Sequence, residues 1–169
     1  MPNLRQPPPW LSSCAVGAIE GDGAELVPPL VRKMYAKLAA QRARDDEAFA
    51  ALVGPPVLPP VAYTYYTLGG CRNLALALHR RTRLPIELYM RGNTPVHCYV
   101  VSDEHEYAID ARGRIPLVRA RAGTTGSPRV TRGELLELLL TQGPIGEYVR
   151  NPVSIGHANR AAAIVLAHG

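Results

Sequence analysis

The sequence predicts an α+β fold: a short antiparallel sheet packed on a central helix that begins at Cys71, with further helices flanking this core. Three observations predict it. In LGGCRNLALALHRRT, residues 68–82, Cys71, Leu74, Ala75 and Leu78 recur at i, i+3, i+4 and i+7, one face of a helix. After Pro85 come IELYM, VHCYVV and EYAID, short runs rich in Val, Ile and Tyr and separated by turn residues. Helical patterns lie on both sides of this block.

The chain has 169 residues, read as one domain over 1–169 with a core of useful size. Residues 1–9, MPNLRQPPP, read as a flexible Pro-rich lead. Residues 10–27 are broken by glycines and give a short strand or helix packed through Trp10. A helix starts at Pro28 and Pro29, which suit a first turn. Its apolar stripe is Leu30, Met34 and Leu38, then Phe49, Leu52 and Val53. The charged QRARDDEA interrupts it, so the segment is two helices or one bent helix. Gly54 and the prolines at 55, 56, 59 and 60 end it. VAYTYYTLGG reads as extended.

The central helix follows and stops before Pro85. IELYM, VHCYVV and EYAID are strands, with RGNTP a turn. ARGRI turns again, PLVRA is a further strand and RAGTTGSPR a flexible loop. TRGELLELLLTQ is a helix with a Thr131/Glu134 capping box, and a last helix lies near 156–167.

Composition sets outer bounds. With 47% hydrophobic and 20% charged residues the chain is an ordinary globular sequence. The net charge of +5 is compatible with acidic partners and is no signature of nucleic-acid binding. Three cysteines at irregular spacing give no disulfide framework. The N-terminus lacks a secretory signal, and no run approaches the ~18 apolar residues of a membrane span. The expected setting is the cytoplasm, or export into a target cell without a cleavable signal peptide.

Chemistry concentrates at Cys71, His97 and Asp110. A hairpin loop over 102–105 pairs Val101 with Glu106, and that register carries His97 opposite Asp110. Opposed residues share a face, so Asp110 can orient the His97 ring and aim its other nitrogen outward. Val96, Cys98 and Val100 fill the opposite face, which makes Cys98 a core residue and the Cys71 helix the cover for the His97 face. A cysteine at a helix N-terminus feels unpaired N–H groups and the positive end of the dipole, which favour the thiolate. The backbone N–H of Cys71 points at a developing oxyanion, and Gly69 and Gly70 leave clearance for a substrate. A metal site from Cys71, His97, Cys98 and Asp110 is disfavoured, because adjacent strand residues face apart; no cofactor is expected. His79, His105, His157 and His168 are not placed at the site.

The segments GGCRNLALALHRRTRLP, HCYVV and YAIDARG resemble the core of the papain-like and transglutaminase-like cysteine enzyme superfamily. The resemblance covers about residues 66–115 and is closest to small papain-fold domains of bacterial toxins and effectors. Several of those are proteases, protein-glutamine deamidases or transglutaminases. It implies that Cys71 is the nucleophile, His97 the general base and acid, and Asp110 the orienting residue. The implied substrate is a protein, at a Gln side chain or a peptide bond. The sequence departs from papain-type enzymes in lacking a Gln shortly before the cysteine. Gly70, Tyr65 and Tyr66 are the oxyanion or substrate candidates in its place.

Two other readings stand beside it. From Ala111 to Gly133 there are six arginines, at 112, 114, 119, 121, 129 and 132, and no acid. A solvated basic face is the favoured reading; docking of an acidic protein, nucleic acid or lipid head group is the sharper one, and an acidic partner or immunity protein would suit a non-catalytic binding module of the same fold. A small-molecule acyltransferase on the same triad is the third. Nucleic acid is not expected, since the run lacks interleaved aromatics and there is no phosphate loop.

Overall fold

The computed structural model describes residues 21–45, 57–91, 94–122, 127–131 and 151–168. The expected Pro-rich lead, the element around Trp10, the apolar positions 49–53 and the body of the 131–142 helix lie outside the described residues.

The fold is α+β. A short 3-10 turn, Ala24–Leu26, precedes α1 (Pro29–Asp45), α2 (Pro60–Leu68) and α3 (Cys71–Thr82). Then come β1 (Ile86–Arg91), β2 (Thr94–Val101), β3 (Tyr107–Asp110), β4 (Gly113–Pro116), α4 (Leu117–Arg121), β5 (Ser127–Thr131) and α5 (Pro152–His168). The five strands form one antiparallel sheet in the order β4-β3-β2-β1-β5.

Five expectations fail in the fold. VAYTYYTL is not extended but forms α2. Its β-branched and aromatic residues favour a strand locally, yet Val61, Ala62, Tyr65 and Tyr66 recur at helical spacing and are all buried, so packing overrides propensity. The hydroxyls of Thr64 and Thr67 bond back to Pro60 O and Tyr63 O, both at 2.8 Å, and Tyr66 Oη donates to Leu26 O at 2.9 Å.

On α1 the buried positions are Tyr35 and Ala39; of the expected stripe Leu38 packs against the core, while Leu30 and Met34 are 94% and 53% exposed. The buried face is rotated from the expected stripe. PLVRA is not a strand: the strand is GRIP, and Pro116 caps the short α4. Ser127–Thr131 is not loop but the edge strand β5, paired with β1 from Ile86↔Thr131 to Met90↔Ser127.

The core lies on one face of the sheet. Ile86, Leu88, Cys98, Val100 and Ile109 meet Leu74, Ala75 and Leu78 of α3, and Ala158, Ala161, Ala162 and Val165 of α5 belong to the same cluster. A smaller cluster on the other face joins Tyr89, Tyr99, Val101, Ala108 and Ile115 to Leu117 and Ala120 of α4. The central helix therefore covers the Cys98 face, not the His97 face as expected. Among the described residues no helix is long and apolar enough to cross a membrane.

Candidate functional site

The β2–β3 hairpin sets the site. Its pairs are Val100↔Ile109 and Val101↔Ala108, two residues along from the expected register. The cause is Ser102. It stays in the ladder, its N–H donating to Tyr107 O at 2.9 Å, and its hydroxyl accepts Glu106 N–H at 2.9 Å. The loop is thus 103–106, with His105 in the left-handed region at φ 56°. Carried one pair further, this register sets Tyr99, rather than His97, opposite Asp110. A two-residue slip keeps every side chain on its face, so His97 and Asp110 remain diagonal neighbours. His97 Nε2 lies 3.6 Å from Asp110 Oδ2, an ion-pair separation.

β2 is irregular beside His97. Tyr89 pairs with His97, but Met90 pairs with Pro95, which leaves Val96 as an extra residue. Bulges bend a strand and re-aim adjacent side chains. Here the histidine at the bulge acts on a cysteine from the helix on the sheet's other face: Cys98 and His97 both shift the titration of the Cys71 thiol. The structure thus brings Cys71, His97 and Asp110 together from α3, β2 and β3. Cys71 is 7% exposed, and the His97 and Asp110 side chains are 15% and 5% exposed.

The charges support one another. Hydrogen bonding from Cys98 lowers the Cys71 thiol pKa well below its ordinary value; burial opposes this, and His97 and then Arg72 add to the lowering. Cys98 moves the opposite way, raised by its bond to Cys71 and by burial. For His97, burial disfavours the cation, but Asp110 and Cys71 outweigh it and raise the pKa to about 9. Asp110 is likewise penalised by burial, yet His97 and Arg112 hold it below the usual carboxylate range. All three shifts favour the charged forms: thiolate, imidazolium and carboxylate. Gly70 caps α3 with no side-chain hydrogen bond, so the first-turn N–H groups add a positive end next to Cys71.

Sequence reasoning misread the glycines. A Cβ at Gly69 would strike Tyr35 Oη, and one at Gly70 would strike the Tyr65 ring. These glycines admit two tyrosines against the backbone, not a substrate. The Tyr65 ring is also stacked edge-on between Tyr35 and Tyr66, at centroid distances of 4.9 and 4.8 Å, and the Tyr66 hydroxyl is committed to Leu26 O. Asn73, two residues into α3, is buried and its Nδ2 has no hydrogen-bond partner. It stands roughly 200° around the helix from Cys71, on another side.

Two residues of the site were missed. Cys98 was read as inert core, although the face that carries it is the one the Cys71 stripe packs on. Arg112 was read as part of a solvated run, yet it is bound to Asp110 through Nε at 3.1 and 3.0 Å and through Nη2. The spacing of Asp110 and Arg112 across a tight turn was the available signal. That run is not simply a solvated face: Arg121 pairs with Glu87 at 2.7 Å, and Arg114 lies 3.7 Å over the Tyr107 ring.

His79 and His105 bond to nearby carbonyls and His157 to Arg160, none of them at the site. Among the described residues no group of three or more His, Cys, Asp or Glu is arranged to hold a metal ion. No protein-family model matches the chain, and neither a curated protein nor a solved structure matches it.

Proposed function

We infer that the protein is a thiol-dependent amide hydrolase or acyl transferase acting on a protein substrate, with Cys71 as nucleophile. One observation carries this reading: a cysteine at a helix start interacts electrostatically with a histidine that lies 3.6 Å from a buried carboxylate. That is the arrangement nucleophilic catalysis by a thiol requires. Resemblance of the residues around Cys71, His97 and Asp110 to papain-like and transglutaminase-like enzymes supports it, and favours a bacterial effector or toxin as the setting.

The reaction follows from the charges. The Cys71 thiolate attacks the amide carbonyl, and the backbone N–H of Cys71 faces the developing oxyanion. The C–N bond breaks as His97 protonates the leaving amine, which leaves a thioester. His97, now neutral, takes a proton from water as it attacks, and the acid and the thiolate are released. On a peptide bond the outcome is proteolysis; on a Gln side chain it is deamidation, or transglutamination when an amine replaces water. The basic-face docking reading has lost ground, since Arg112 and Arg121 are spent on internal pairs.

The test is mass spectrometry of a candidate proteome exposed to the protein and to Cys71→Ala. Cleaved peptides, Gln-to-Glu conversion or cross-links present only with the intact thiol support the reading and identify its branch. Products unchanged by Cys71→Ala, in a protein that still folds, would sink it.

A further inference from the structure

The sequence DARG, residues 110–113, is a turn and a clamp at once. Asp110 pairs directly with Gly113, so Ala111 and Arg112 make the β3–β4 turn. Gly113 sits at φ 91°, a conformation that L side chains resist. Within the turn, Asp110 Oδ1 accepts the Arg112 backbone N–H at 2.8 Å, as acidic side chains often do two residues on. The Arg112 guanidinium then closes on both carboxylate oxygens. Asp110 has only two rotatable side-chain bonds, and one residue holds both. The oxygen facing His97 Nε2 is Oδ2.

We propose that Arg112 is a positioning residue: by clamping Asp110 from within the turn, it keeps Oδ2 against His97 Nε2. The proposal rests on the thiol-enzyme reading of this site. A bidentate fork suits the role, because it fixes the plane of a carboxylate as well as its charge.

The alternative, a plain counter-charge, predicts the opposite sign. Arg112 and the His97 imidazolium are like charges, so removing a mere charge favours the imidazolium. Removing a clamp lets Asp110 turn away, and the imidazolium loses its partner. The other groups acting on this pair are Cys71 from α3 and Tyr99 from β2, with its ring 5.5 Å from His97; Arg72 acts on the thiol.

The test compares the full chain with Arg112→Met, Arg112→Lys, Asp110→Asn and Arg112→Met/Asp110→Asn. His97 is titrated by NMR, and iodoacetamide labelling of Cys71 is followed against pH by peptide mass. Arg112→Met should move the His97 titration down by about one pH unit and the onset of Cys71 labelling up, as Asp110→Asn does. The double variant should go no further than Asp110→Asn, and Arg112→Lys should restore less than half the shift. An unchanged or upward His97 titration, or full rescue by Arg112→Lys, overturns the proposal. Where Arg112→Met fails to fold, Arg112→Lys decides alone, and an unshifted His97 then overturns it. These readouts need no substrate. Absent amide turnover therefore sinks the reaction and not the clamp, whereas unshifted titrations do the reverse.

Discussion

Two buried carboxylates lie at either side of Tyr99, and each is gripped by an arginine. Glu87 pairs with Tyr99 across β1 and β2, and the hairpin register sets Asp110 on the far side. Glu87 is fully buried and held by Arg121 at 3.0 and 2.7 Å, with the Tyr99 hydroxyl donating at 2.6 Å. Asp110 is held by Arg112, with His97 as its further neighbour. The difference lies in that third partner. Burial and then Glu87 push the Tyr99 hydroxyl to titrate higher still, so that cluster keeps one protonation state and ties α4 to the sheet. His97 carries a proton that can leave. The same pairing of acid and arginine is a fastening in one place and, on the proposed function, a working part in the other.

Neutralising each acid breaks the comparison most directly. Asp110→Asn is expected to lower Cys71-dependent turnover by about 10²–10⁴-fold, because an amide no longer supports the imidazolium. Glu87→Gln should leave turnover within about threefold, its cost falling on stability as a buried ion pair is broken. Turnover on the substrate identified by mass spectrometry, and urea unfolding of each variant, check both. Equal losses of turnover would mean that the two clusters act alike.

The pH dependence of stability sharpens the contrast. The His97 pKa is raised from 6.5 to about 9, so its contribution is complete below 6.5 and is lost as pH rises through 9. The Cys71 pKa is lowered from 9.0, so its contribution is present above 9.0 and lost as pH falls through its folded value. Between pH 6.5 and 9 the unfolded chain gives up the imidazole proton, and wherever the pH exceeds the folded Cys71 value the folded chain has given up the thiol proton. The two slopes oppose each other, and wild-type stability should be nearly flat there. Cys71→Ala removes one of them. Its stability should fall with rising pH, by at most about 1.4 kcal/mol per unit. The Glu87 pKa is lowered from 4.5, so that cluster acts only in acid. Urea unfolding at half-unit steps measures the slopes; a wild type that tilts as steeply as Cys71→Ala would remove the thiolate–imidazolium pair.

How much of this was legible depends on which signals survive small errors. The stripe of Cys71, Leu74, Ala75 and Leu78 survives, because a helical face needs no knowledge of its neighbours. His97 and Asp110 survive for a subtler reason. The hairpin register was wrong by two residues, but faces repeat every two, so the pair stayed together. Ser102 was illegible as a ladder residue, since serine reads as loop. The α2 helix was illegible because its tyrosines and threonines favour a strand until burial decides. The contact between Cys71 and Cys98 was hidden twice: strict alternation put Cys98 and His97 on opposite faces, and nothing in VHCYVV announces a bulge at Val96.

The smallest expected effect concerns that hidden contact, and it extends the comparison to the other charge of the site. Tyr99 gives Glu87 a buried neutral donor, and Cys98 gives Cys71 one. In both cases the donor is driven to titrate higher and the acceptor lower. If the parallel is sound, removing the donor must cost the anion. Cys98→Ala should raise the pH at which Cys71 reacts with iodoacetamide by up to about one unit, within the range one hydrogen bond to an anion supports. Cys98→Ser, which keeps an O–H, should raise it less. Stability should fall only modestly, because the substitution removes a single buried sulfur atom from the core. A labelling profile identical in Cys98→Ala and wild type would assign the thiolate to His97 and the helix start alone, and Cys98 would return to being a filler of the core.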